Sequence, residues 1–353
     1  MIRESIQKLV NGADLTYEES TATMKEIMSG AATNTQIGAF LTALRTKGET
    51  SEEITAFTSV MKECCNRIHP NVKGRLVDTC GTGGDRVKTF NISTTAAFVV
   101  AGADIAVAKH GNRSVTSKCG SADVLERLGL NLNVEPKAVE AAIEKVGMGF
   151  MFAPAFHPAM KYAIGPRREL GIRTVFNVLG PLTNPADANA QLLGVYDPKL
   201  TEPLAYSLNS LGCEEAMVVH GLDGLDEIST IGKTRISWLR KGEVTTREMA
   251  PKDFGIKRAK LEDIKGTMPK ESAELTFKIL YGCCDADDPK REIVQVNGAA
   301  AIIVAGKAED FGYGIEVAQE SIESGGAYKK LKELVKFSHG DISKLEQLET
   351  EHA

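Results

Sequence analysis

The sequence lacks any surplus of positive charge: 42 Lys and Arg stand against 47 Asp and Glu, leaving a formal charge of −5. Proteins that coat nucleic acid carry a basic surplus or a dense basic stripe, so no nucleic-acid partner is expected. No apolar run approaches the ~20 residues that cross a bilayer, and no membrane partner is expected either. The first residues include Glu4, Gln7 and Lys8 rather than the apolar stretch of a secretory leader. Seven cysteines form an odd set with two adjacent pairs, Cys64-Cys65 and Cys283-Cys284, and no CxxC or His/Cys ligand spacing. The pattern argues against a disulfide scaffold or a zinc site, and reduced thiols in a cytoplasmic protein are the expectation. The Gly-Lys-Ser/Thr of a Walker A loop and the G-x-G-x-x-G of a dinucleotide fold are missing too, as are internal repeats.

At 353 residues the chain is long for a single core, so a small domain beside a large one is expected. Residues 1–72 read as helices only. Thr33 and Gln36 have capping-box spacing ahead of Ile37, Phe40, Leu41 and Leu44, and Thr50 and Glu53 repeat the device ahead of Ile54, Phe57 and Met61. Gly30 and Gly48 stand where such helices stop, and His69-Pro70 breaks the pattern. From residue 73 to about 345 the texture is α/β. Leu76–Cys80, Ile105–Ala108 and Ala216–Val219 read as strands, alternating with helices around Ala96–Ala103 and Val124–Leu128. That rhythm predicts a mostly parallel central sheet flanked by helices. The Pro- and Gly-rich stretch Met151–Pro185 interrupts it, and the charged tail after Gly340 reads as a solvated helix or a frayed end.

Four loops carry the chemistry. Gly81-Thr82-Gly83-Gly84-Asp85 lies between a strand and a helix that opens near Asn91-Ile92-Ser93-Thr94. Unpaired N–H groups and the helix dipole favour an anion there, and hydroxyls such as those of Ser93 and Thr94 bind phosphate or metal. An ordinary Gly-rich turn with helix caps is the alternative. Lys109-His110-Gly111-Asn112 ends the second strand, on the side where open α/β sheets bind ligands, although a solvated polar loop reads equally well. Ser121 opens the next helix, as a plain N-cap or as one that also holds a phosphate oxygen. In Gly221–Glu227 the adjacent carboxylates Asp226 and Glu227 repel each other, so they suit a hard cation such as Mg²⁺ unless they are an exposed acidic turn. Finally, His157 to Pro185 holds Arg167, either a bidentate carboxylate clamp or a surface ion pair.

The ordered set GTGGD (81–85), NIST (91–94), KHGNRS (109–114), GSAD (120–123), GPRRELGIRTVFNVLGPLTNP (165–185) and GLDGLDE (221–227) resembles the anthranilate phosphoribosyltransferases of tryptophan biosynthesis. The resemblance runs from about Leu15 to about Gly325. It implies a nucleoside-phosphorylase-like fold, with a helical domain that also takes in about 160–185 and forms a homodimer. It further implies that Gly81, Gly84, Asp85, Thr89, Asn91, Ile92, Ser93, Thr94, Lys109, Ser117 and Ser121 hold phosphoribosyl pyrophosphate. Ser93, Asp226 and Glu227 would bind Mg²⁺, and Lys109, Asp226 and Glu227 would be catalytic. Gly81, His110, Asn112, His157, Arg167 and Pro181 would form the anthranilate side. Cys119 departs from the pattern, standing where Ser or another small residue is more usual; a packed thiol is expected there. Two rivals are a pyrimidine nucleoside phosphorylase of the same fold, which needs no pyrophosphate metals, and a non-catalytic relative that binds nucleic acid.

Overall fold

The computed structural model describes residues 1–84, 87, 89–114, 119–266 and 268–352. The chain opens with α1 Ile2–Val10, α2 Tyr17–Met28, α3 Asn34–Lys47 and α4 Ser51–Glu63. Both expected capping boxes form, and a third, Thr16 with Glu19, starts α2. At the head of α4, Thr50 Oγ1 accepts from Glu53 N at 3.2 Å and Glu53 Oε2 accepts from Thr50 N at 2.8 Å. The Glu53 carboxylate is fully buried, and it tolerates this because it also accepts from Leu15 N and pairs with Lys47 at 2.9 Å. Phe40 and Phe57 meet edge to face at 5.8 Å in the centre of this bundle.

The α/β part follows as β1 Val77–Gly81, α5 Ile92–Gly102, β2 Val107–Gly111, α6 Ser121–Arg127, α7 Pro136–Val146 and β3 Met148–Phe152. The chain then leaves the sheet through α8 Ala153–Phe156, α9 Lys161–Leu170 and α10 Phe176–Leu182. α9 packs on α2 and α3, and α10 on α4, so Ala163, Phe176 and Leu179 share one core with Phe40 and Phe57. β4 Ala190–Gly194, α11 Thr201–Ser210, β5 Glu215–Gly221, β6 Thr234–Arg240 and β7 Glu243–Met249 bring it back. Five further helices close the fold: α12 Leu261–Ile264, α13 Pro269–Tyr281, α14 Pro289–Val304, α15 Phe311–Glu323 and α16 Gly326–Phe337. The charged tail is a sixth, α17 Ser343–His352, anchored by the buried Leu345.

The seven strands lie in the order β3-β2-β1-β4-β5-β6-β7. β3 to β5 are parallel and β6 and β7 antiparallel. Apolar helices α5 and α14 are buried along most of their length beneath the sheet, as their near-continuous hydrophobic sequences require. The order in which strands are added reverses between the parallel β1 and β4, where Gly81 pairs with Gly194. A crevice at such a switch point is where open α/β sheets take their ligands.

Among the described residues no helix is long and apolar enough to cross a membrane. Among the described residues no disulfide forms, and Cys80 and Cys213 are buried. Replacing the α4 cap, Thr50→Ala, should lower stability by about 1 kcal/mol, read as an earlier urea midpoint by circular dichroism; an unchanged midpoint would show the cap to be idle.

Candidate functional site

The C-terminal ends of β1 and β4 carry glycine for a steric reason. A Cβ on Gly194 would lie 1.6 Å from the Asp226 carbonyl oxygen, and one on Gly81 would lie 2.7 Å from Asp226 Oδ2. The loop after β5 therefore rests directly on the paired backbones of the switch point. From there Asp226 Oδ2 accepts from Gly83 N at 2.9 Å. Thr82 N donates to Gly194 O at 2.9 Å, and Gly83 and Gly84 take φ of 66° and 78°, values that favour glycine. The Gly-rich turn expected from the sequence is present, and one of its amides, Gly83 N, already meets a carboxylate.

The next carboxylate faces the head of α5. Glu227 Oε1 accepts from Ser93 N at 3.2 Å, and Asn91, at the cap position, makes no capping bond with its side chain. An anion thus takes the place of the cap at a positive helix end. Asn91 is held elsewhere, accepting from Ser272 Oγ and donating to Cys119 O. Lys109, almost fully buried in β2, donates through Nζ to Thr79 O and lies 3.5 Å from Ser93 Oγ. Burial lowers its pKa, while Asp78, Cys80 and Glu227 pull the other way. Ile92 and Thr94 are buried in the first turn of α5, Thr89 bridges to Lys265, and Ser121 donates to Asn112 O at 3.2 Å. Asp85 and Ser117 lie outside the described residues.

Asp226 is thus tied to the Gly-rich loop at Gly83 and Glu227 to the first turn of α5 at Ser93. Among the described residues no group of three or more His, Cys, Asp or Glu could hold a metal alone. Two carboxylates and a hydroxyl form an open donor set, the kind that Mg²⁺ completes with substrate phosphates.

A second, drier group lies beside it. His110 and His157 are both buried, 5.0 Å apart between ring centroids, and neither Nε2 has a hydrogen-bond partner. Burial pushes the His110 pKa down to about 3, helped by His157, and that of His157 down to about 4. Below them Asp78 accepts from His110 N and from Asn184 Nδ2 at 2.8 Å, and burial raises its pKa to about 6 against the pull of Lys109. Pro181 is buried in α10 and its carbonyl accepts from Gln191 Nε2. Arg167, half-buried on α9, sits 5.2 Å over the Phe176 ring and has no carboxylate partner among the described residues. Asn112 is exposed at the end of β2. No bond among the described residues joins Arg167 or Asn112 to the Asp226–Glu227 pair.

Residues 73–328 match the family described as "Glycosyl transferase family, a/b domain", and residues 3–65 match its helical bundle domain. The chain is 53% identical over 338 residues to an anthranilate phosphoribosyltransferase from Desulfosudis oleivorans, covering 96% of this chain and 99% of that protein. It is 51% identical to the one from Acetivibrio thermocellus, covering 97% and 98%. This chain belongs to the anthranilate phosphoribosyltransferase family. The family's crystal structure from Thermus thermophilus superposes with a TM-score of 0.88 at 40% identity, covering 95% of this chain and 99% of that one. The Saccharomyces cerevisiae anthranilate phosphoribosyltransferase, described in complex with PRPP and Mg, superposes with a TM-score of 0.87 at 29% identity, covering 96% and 98%.

Several residues around this family site escaped sequence reasoning. Arg173 donates to the Gly84 carbonyl and stacks 4.3 Å from the Tyr196 ring, while Tyr196 N donates to Thr82 Oγ1 at 3.0 Å. Both grip the Gly-rich loop from outside its motif, and a lone Arg in a Pro/Gly-rich stretch gives no signal of that. Cys119 is a half-buried thiol packed on the α/β core, its pKa raised by burial to about 11, which fits a packed rather than a reactive group.

The two histidines carry a pH signature. Their folded pKa values lie below the ordinary value of 6.5, so the unfolded chain protonates first as pH falls. Their contribution is complete above about pH 6.5 and is lost on descending to about pH 4 for His157 and about pH 3 for His110, while Asp78, shifted upward, acts in the opposite sense between about pH 4 and 6. His157→Gln should therefore flatten the loss of melting temperature between pH 6.5 and 4.5; an unchanged slope would show that His157 is not held neutral.

Proposed function

We propose that this chain transfers the 5-phosphoribosyl group from phosphoribosyl pyrophosphate to the amine of anthranilate, releasing pyrophosphate. The observation that carries the reading is the convergence of Asp226 on Gly83 N and Glu227 on Ser93 N at the switch point. It puts a two-carboxylate donor set beside two anion-binding backbones, which inorganic phosphate alone would not call for. The pyrimidine phosphorylase reading loses its appeal on that ground, and the family membership supports the transferase.

In this reading Mg²⁺, held by Asp226, Glu227 and Ser93, supplies charge neutralisation for the departing pyrophosphate. Gly81, Gly84, Asp85, Thr89, Asn91, Ile92, Ser93, Thr94, Lys109, Ser117 and Ser121 hold the donor. The loop amides and the Lys109 ammonium stabilise negative charge that grows as the anomeric C–O bond breaks, and such preorganised donors are strongest in a water-poor site. Gly81, His110, Asn112, His157, Arg167 and Pro181 take the acceptor, with Arg167 clamping its carboxylate. The aryl amine is neutral at pH 7 and attacks as it is. A histidine whose pKa is pushed down to about 3 is a poor proton store, so His110 serves position rather than base catalysis.

The helical unit in this reading comprises 1–72 with about 160–185, the α/β unit 73–345, and the helical units pair two copies in the cytoplasm. Protein mixed with anthranilate, phosphoribosyl pyrophosphate and Mg²⁺ should consume anthranilate, followed as loss of its fluorescence; no loss with metal present would sink the assignment. Arg167→Ala should raise the anthranilate KM by about 10-fold or more, the scale of one lost charged hydrogen bond, and leave the donor KM little changed. Equal rises in both would refute the clamp.

A further inference from the structure

β5 ends at Gly221 and β6 begins at Thr234, so the two carboxylates ride on a long connection whose shape must be imposed. One restraint comes from beneath. Asn297 is fully buried in the middle of α14, among Val296, Ala299 and Ala300. Its Oδ1 accepts from Ile228 N at 2.9 Å, and its Nδ2 donates to Ile228 O at 3.1 Å and to Ile293 O at 2.8 Å. The side-chain amide thus clasps both polar groups of the residue that follows Glu227. A buried amide is costly unless satisfied, and this one is satisfied chiefly by the loop.

The other restraint spans the pair. Asp223 Oδ2 accepts from Ser229 Oγ, and Ser229 Oγ in turn accepts from Ile231 N at 3.0 Å and Gly232 N at 3.1 Å. Gly221 and Gly232 leave room for this carboxylate: a Cβ on either would come within 2.9 Å or 3.0 Å of an Asp223 oxygen. The bridge therefore closes the loop across Asp226 and Glu227.

We propose that Asn297 and Asp223 are positioning residues that fix the Asp226–Glu227 backbone and thereby set the affinity for Mg²⁺-bound phosphoribosyl pyrophosphate. The proposal rests on the reading of Asp226 and Glu227 as metal ligands. Neither brace belongs to the residues assigned to donor or acceptor.

Calorimetric titration of the full chain with Mg²⁺–phosphoribosyl pyrophosphate tests it, with the anthranilate KM measured alongside. Asn297→Ala and Asp223→Ala should each weaken donor binding by about 10-fold, the scale on which groups supporting metal ligands act. The anthranilate KM should stay within about 2-fold, since the acceptor side is held by other elements. Asp223→Asn, which still accepts from Ser229, should recover most of the loss. Wild-type donor affinity in the folded brace variants, or parallel loss of both substrates, overturns the proposal. Should Asn297→Ala lose its cooperative melt, Asp223→Ala, in a partly exposed loop, decides alone by the same criteria. Asp226→Asn separates the two levels. If it leaves Mg²⁺ dependence untouched, the metal-ligand reading falls and the braces with it; if it weakens binding while the brace variants do not, only the braces fall.

Discussion

The seating of the Asp226 main chain on Gly194, with its carboxylate against Gly81, is the contact on which the rest of the site depends. Two strands that part at a topological switch leave a notch between their ends, and only residues without side chains let a third segment drop into it. Once it does, its carboxylates arrive at fixed places. One meets an amide of the Gly-rich loop and the other an amide at the head of α5. Each carboxylate takes up a backbone donor that has no partner in regular structure, so loop, helix and carboxylate pair define one another's positions.

The two sides of the crevice are built on different physics. Around β1 and α5 charge is dense and polar groups are engaged: Lys109 lies among Thr79, Ser93 and Asp78, and the Gly83 amide meets Asp226. Around α9 and α10 the surface is drier, with two imidazoles whose Nε2 atoms lack partners and an arginine over an aromatic ring. In the proposed reading a flat aromatic acid suits that second surface, its ring replacing dry contacts and its carboxylate meeting the guanidinium.

Elements whose signal is local were legible in the sequence. Capping boxes at Thr33 and Thr50, the Gly-rich turn and the carboxylate pair all state their chemistry within a few residues. The strands were harder. β2 was expected over Ile105–Ala108 and runs instead over Val107–Gly111, because Lys109 and His110 are polar residues buried at a strand end for the site's sake. β3 and β4 were hidden on either side of the Pro/Gly-rich excursion. The β6–β7 hairpin did carry a readable mark: Lys241-Gly242, a two-residue turn with φ of 53° and 79° between alternating strands. What no local pattern could disclose was the set of distant restraints. Arg173, Tyr196 and Asn297 reach the Gly-rich and carboxylate loops from segments far along the chain, and only the folded topology brings them there.

The excursion through α9 and α10 also has a bearing on how the chain is made. α1 to α4 share their core with Ala163, Phe176 and Leu179, which emerge from the ribosome roughly 100 residues later. At about 5–20 residues per second the first helices wait on the order of 5–20 s with an apolar face uncovered. The chain's third strand, with the start of the sheet, must be synthesised before the helices it began with can close.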